Sequence, residues 1–248
     1  MMILSCVFYK PQMAEVVNII TQKGSYPYGA DIFRLYVKEV YEQTYLVNDV
    51  FGKFVDVYYD DKITIREMNE KLEVMVNTRK ILRGPKKLCV FYKKPLRDII
   101  GIFAGGFDSD RIKHCISAVA NKQYGSRKYD PLSSLCFKLK DKEAEINSID
   151  VFENVIEISA TGIKDPYVSA ARLKGSAVNE SEEYLKLVRD PVIGGDVECM
   201  AVSYKNKTYF LFSNGRVFTR QAAENVEQEA VVIHEIVEKL HSVDAVQI

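Results

Sequence analysis

An α+β fold is predicted: a helix-rich N-terminal half with a β-hairpin, and a strand-rich C-terminal half whose antiparallel sheet is backed by a long C-terminal helix. Three observations carry it. Two hairpin signals near the end of the chain lead into an apolar stripe, Val226, Ala230, Ile233, Val237 and Leu240, at steps of four, three, four and three, which is the spacing of one helix face. Short β-forming runs separated by turn residues fill residues 135–219. Helical spacing recurs before residue 80, yet no strand–helix alternation of the kind that builds a parallel sheet follows.

In chain order, Ile3 to Tyr9 reads as a strand, and Pro11 opens a helix whose apolar side is Met13, Val16, Val17 and Ile20. Gly24 to Gly29 is a loop. Ile32, Leu35, Tyr36, Val40 and Gln43 have helical spacing, so a second helix runs to about Tyr45. Phe54 to Tyr59 is a strand, and residues 64–79 read as a third helix with Met68, Leu72, Met75 and Val76 inside. Leu88 to Tyr92 and Asp98 to Phe103 form a hairpin, followed by a helix bearing Ile112, Cys115, Ile116 and Val119. A polar run from Lys122 to Asp130 places a boundary between domains 1–125 and 131–248.

The second half reads as strands 135–139, 145–151, 155–160 and 168–173, a short helix 180–188, then strands 197–204, 208–212 and 216–219. Asn214-Gly215 suits a type I′ turn between the last two. The glutamates of the final helix take its polar side.

The 248 residues hold 34 basic and 34 acidic side chains, so no global field draws the molecule to a polyanion or a membrane, and any such attraction must be local. The opening apolar run is too short to span a bilayer and has no charged leader, so a cytoplasmic protein is expected. Five scattered cysteines and three histidines make no metal spacing, so neither metal nor cofactor is expected and the thiols should be free. His234 and His241 are expected on the solvent side or at the end of the last helix.

One local concentration of charge stands out. Between Val74 and Arg97 there is no carboxylate, while Arg79, Lys80, Arg83, Lys86, Lys87, Lys93, Lys94 and Arg97 are interleaved with Phe91 and Tyr92. Positive groups beside aromatic rings are what phosphate neutralisation and base stacking need. The functional expectation is therefore a nucleic-acid-associated (DNA- or RNA-binding) protein without a catalytic centre of its own, an accessory subunit of a larger complex. A protein-interaction subunit, using the basic face or the acidic last helix, is the alternative.

A second motif is Gly105-Gly106-Phe107-Asp108-Ser109 between a strand and a helix. It resembles the PP-loop of ATP pyrophosphatases, which implies an ATP-dependent adenylating enzyme with Gly105, Gly106 and Ser109 cradling phosphates and Asp108 near Mg²⁺ or the nucleotide. Ala104 stands where that motif opens with Ser, and a plain turn with Asp108 or Ser109 as helix N-cap accounts for the same residues. Phe212-Ser-Asn-Gly-Arg-Val217, with the helix that follows, is similar to half of a TATA-binding-protein repeat, in which strand, turn, strand and long helix follow in this order. Asn214 is extra to that pattern, Arg220 replaces a Gly, and no second copy is present; a generic hairpin-plus-helix unit fits equally.

Overall fold

The computed structural model describes residues 4–28, 33–44, 50–68, 74–94, 96–124, 130–140, 142, 145–146, 148–149, 152, 155–175, 178–220 and 225–247. These residues are organised by one twelve-stranded sheet in which every strand pairing is antiparallel. In chain order the elements are β1 (Leu4–Pro11), α1 (Ala14–Thr21), β2 (Gly24–Tyr28), β3 (Phe33–Thr44), β4 (Val50–Met68), β5 (Val74–Phe91), β6 (Ile99–Phe103), α2 (Gly106–Tyr124), β7 (Leu132–Ser134), β8 (Cys136–Phe137), β9 (Val155–Thr161) and β10 (Ala170–Lys174). Short helical turns over 178–189 precede β11 (Asp196–Tyr204), β12 (Lys207–Phe212), β13 (Arg216–Thr219), α3 (Val226–Ser242) and β14 (Val246–Gln247). The strand order is β10-β9-β11-β12-β13-β1-β6-β5-β4-β3-β2, with β7 also on β1, and β8 and β14 form a separate pair.

The helix-rich N-terminal half does not form, and its place is taken by long strands. The segment expected as the second helix is β3, and the segment expected as the third is the end of β4 and the start of β5. In β3 the alternation is broken between Val37 and Glu39, where a bulge shifts the register against β4. One extra residue flips every later side chain to the other face, so a period of two is lost and a helical spacing is imitated. Met68 and Val76, expected inside a helix, are 66% and 60% exposed on a strand pair, and Leu72 lies outside the described residues. Gly24 to Tyr28, expected as loop, pairs with β3 as an edge strand.

The strand–helix–strand signals elsewhere have local causes. The hairpin β5–β6 pairs Phe91 with Ile99 and Lys87 with Phe103. β11, β12 and β13 form the expected meander, but its turns are exchanged. Lys205 and Asn206 both have positive φ, 48° and 61°, and make the two-residue turn between Tyr204 and Lys207. Ser213 to Gly215 is a three-residue loop in which only Gly215 is left-handed, and an added Cβ there would lie 2.0 Å from the Leu135 carbonyl oxygen.

Two apolar cores lie on the two faces of the sheet. One unites α1 and α2, through Val16, Ile20, Ile112 and Ile116, with Val55, Val57, Leu88 and Ile100. The other unites α3, through Ala230, Ile233, Val237 and Leu240, with Phe8, Phe54, Phe91, Tyr209 and Leu211. Asn225 caps α3 by accepting hydrogen bonds from the backbone N–H groups of Glu227 and Gln228 at 2.8 and 3.2 Å. The glutamates of α3 are not a solvated face: Glu229 is buried against Lys207, and Glu235 accepts from Tyr204 and Lys205. His234 is fully buried and stacks on Phe91. The sheet also runs on across the expected domain boundary, because β1 is hydrogen-bonded to β13 on one side and β6 on the other. Residues 125–129 themselves lie outside the described set.

Among the described residues no helix is long and apolar enough to cross a membrane. The five cysteines are free thiols, four of them buried.

Candidate nucleic-acid interface

Strand β5 carries most of the basic stretch, so its charges are strung along a strand and not gathered at one tip. Arg79 and Phe91 are separated by roughly 40 Å of extended chain. A register shift against β4 at Gly84-Pro85 falls in the middle. Gly84 has φ +133°, and a Cβ there would come within 2.8 Å of the Val57 carbonyl oxygen.

Consecutive side chains then point to opposite faces, and Lys80, Arg83, Lys86 and Lys87 each meet a carboxylate. Lys80 bonds Asp60 at 2.7 Å, and Arg83 bonds Asp61 at 2.7 Å. Lys86 meets Asp108 at 2.8 Å on the α2 face. Lys87, on the α3 face, lies 3.0 Å from both Asp56 and Glu227 and donates to the Tyr41 hydroxyl. Burial alone would raise the Asp108 carboxyl, but the Lys86 ammonium and the Tyr59 hydroxyl hold it below the usual range. Glu227 is held low in the same way by Tyr41 and Lys87. Phe91 is fully buried in the α3 core, and Tyr92 is half-buried. Lys93, Lys94 and Arg97 are exposed at the far turn, with Arg97 beside Asp98 at 3.7 Å. The sheet thus separates the expected interface into an inner group already matched by acids and two outer groups at opposite ends of β5.

In the Gly105-Ser109 turn Gly105 and Phe107 are exposed, but the two polar side chains are already engaged. Ser109 is fully buried, and its hydroxyl donates to the Ala104 carbonyl at 3.3 Å. Asp108 is occupied by Lys86 and Tyr59. The strand before the turn, β6, lies between two antiparallel neighbours, β1 and β5.

The end of β5 that carries Arg79 has the more distinctive surroundings. β3 leaves β4 at Tyr59 and β6 leaves β5 at Lys87, so residues 61–68 and 74–81 pair only with each other. They form a two-stranded ribbon projecting roughly 25 Å from the sheet. Directly opposed residues share a face, which for one face gives Lys62 with Lys80, Thr64 with Thr78, Arg66 with Val76 and Met68 with Val74. All eight are exposed. Like charges directly opposite destabilise a strand pair, and here Lys62 and Lys80 are tolerated over the Phe33 ring, at 5.3 and 6.0 Å, with Asp60 behind Lys80. On the other face Arg79 is exposed while Ile63, Ile65 and Asn77 are half-buried.

Lys62, Thr64, Arg66 and Thr78 were outside the sequence-based set. Their signal is the period-two spacing of Lys62, Thr64 and Arg66, which a helical reading of 64–79 conceals. At the base of the ribbon, where it meets α2, a cleft of about 260 Å³ is lined by Tyr28, Tyr59, Asp60, Asp61, Arg111 and His114 among others. Asp60 accepts from the Arg34 backbone N–H at 2.8 Å as well as from Lys80, so the cleft's acids anchor the ribbon.

Comparison with protein-family models, with curated proteins and with solved structures finds no match for this chain.

Proposed function

We propose that this is a nucleic-acid-binding protein, acting as an accessory subunit and not as an enzyme, and that it grips duplex DNA with the β4–β5 ribbon. The observation that carries the reading is the exposed ribbon face on which Lys62, Lys80 and Arg66 flank the Thr64–Thr78 pair, ending in Met68, Val74 and Val76. A two-stranded ribbon fits the major groove of B-form DNA, whereas the deep, narrow groove of A-form RNA excludes it. Cations and hydroxyls contact phosphates, and apolar side chains at the end of an arm can wedge against bases. The free thiols suit a reducing compartment, which supports a cytoplasmic location as part of this proposal.

The test is fluorescence anisotropy of a labelled duplex against salt. With Lys62, Arg66 and Arg79 neutralising up to three phosphates, log K should fall with log salt at a slope of about −2 to −3. Replacing Lys62, Arg66 and Arg79 by Glu should abolish binding, while the same change at Lys93, Lys94 and Arg97 should leave it intact. Duplex affinity that survives the ribbon substitutions, or a wild-type protein that binds no duplex, would reject the proposal.

A further inference from the structure

The sheet face that α1 and α2 cover over its first six strands is left open over β9 to β13, among the described residues, and that open half has its own chemistry. Alternation along β12 sends Tyr209 and Leu211 into the α3 core and Phe210 and Phe212 to the open side. β13 adds Arg216 and Phe218 to the same side, and β11 adds Cys199 and Ala201. Phe212 and Phe218 are half-buried, with no helix over them among the described residues. Every one of the three phenylalanine rings carries a guanidinium: Arg216 lies 5.4 Å from the Phe212 centroid and 5.5 Å from that of Phe218, and Arg220 lies 5.1 Å from Phe210. Arg216 is oriented by donating to the Ser5 hydroxyl at 2.8 Å. The rings line a shallow depression of about 240 Å³ that also holds Arg172 and Glu157.

We infer that this face is a stacking platform for the unpaired bases of single-stranded nucleic acid. It shares its ligand class with the duplex-binding ribbon but is a separate surface. Aromatic rings and guanidinium planes both stack on bases, and stacking is tolerant of sequence because every base has a π-face. The charge matches a phosphate backbone. Arg172, Lys174 and Arg216 on these strands, with Arg220 just past β13, outnumber Glu157, Asp196 and Glu198; Glu157 is already taken by Arg172 and Lys174, and Asp196 lies 3.8 Å from Lys140. That leaves Arg216 and Arg220 for the strand. A buried protein–protein contact of the same size is typically depleted of charge at its centre, whereas here the guanidinium groups sit over the rings.

The experiment is anisotropy of a fluorescein-labelled oligo(dT) of about 12 nucleotides, within the range one sheet surface spans. Wild-type protein should bind it, Phe212→Ala with Phe218→Ala should weaken binding at least tenfold, and Phe212→Leu with Phe218→Leu, which keeps an apolar surface but not the π-face, should weaken it comparably. The ribbon variant should bind the oligonucleotide like wild type, and the double Phe variant should bind duplex like wild type, so the two surfaces fail independently. No oligonucleotide binding by wild-type protein, or leucine variants that bind undiminished, would overturn the inference. So would a wild-type dimer, seen by light scattering, that the Phe212→Ala and Phe218→Ala changes dissociate, because the face would then be an interface between copies.

Discussion

His234 shows how one residue couples burial to pH. It is fully buried, stacked 4.3 Å from Phe91, with Glu238 at 3.9 Å, Glu235 on the same helix and Lys93 near enough to disfavour its charged form. Burial, then Lys93, pushes its imidazole from the usual value down to about 3. A group whose folded value is depressed stabilises the fold above its unfolded value of about 6.5, and that stability is lost as pH falls toward the folded value. At pH 5 the loss is about 2 kcal/mol. Glu238, whose carboxyl is raised by burial, acts in the opposite direction, so it cannot produce this loss. Urea denaturation of wild-type protein at pH 7.5 and pH 5 should show the difference, and His234→Phe should remove most of it. A wild-type protein equally stable at both values would mean that the imidazole is not held neutral. Sequence spacing put His234 on the solvent side because only the seven-residue interval to His241 was visible. The ring that stacks on it, Phe91, comes from another part of the chain.

The β4–β5 ribbon is an element that contributes little to the core it projects from. None of the described residues of 62–68 and 74–81 belongs to either of the two main apolar clusters. Its base is held instead by the ion pairs Lys80–Asp60 and Arg83–Asp61, each with a partly exposed cation and a buried acid. Replacing residues 63–79 by a short turn between Lys62 and Lys80 should therefore leave the melting temperature within a few degrees of wild type, a change of about 1 kcal/mol or less, while duplex binding disappears. A collapse of the thermal transition would show that the ribbon is structural. The helical stripe of Met68, Leu72, Met75 and Val76 concealed this element, since i, i+4, i+7 spacing can arise by chance across two successive strands. What decides for the ribbon is cross-strand pairing from Asp61–Ile81 out to Met68–Val74, with Thr64, Ile65, Val76 and Thr78 supplying β-branched side chains.

At the scale of the molecule, β1 joins the halves: it lies between β13 and β6 at the centre of the sheet. The core over α3 draws Cys6, Phe8, Phe54, Cys89 and Phe91 from the first half and Leu211, Val217, Ile233 and Leu240 from the second. A fragment of residues 131–248 would expose the β13 edge and half of that core. It should show no cooperative melt by circular dichroism, and a sharp two-state transition in the isolated fragment would mean that the halves are independent domains. The sequence alone determined the elements whose signals are local: the α1 and α2 stripes, the β5–β6 hairpin, the β11–β13 meander and the periodic α3. Contacts distant in sequence decided the rest. The bulge that hides the alternation of β3 is a property of pairing with β4, and the acids that meet Lys80, Arg83, Lys86 and Lys87 come from β4, α2 and α3. A run of charges shows how many cations a segment holds, but which of them remain available to a ligand depends on the carboxylates that folding brings within about 3 Å.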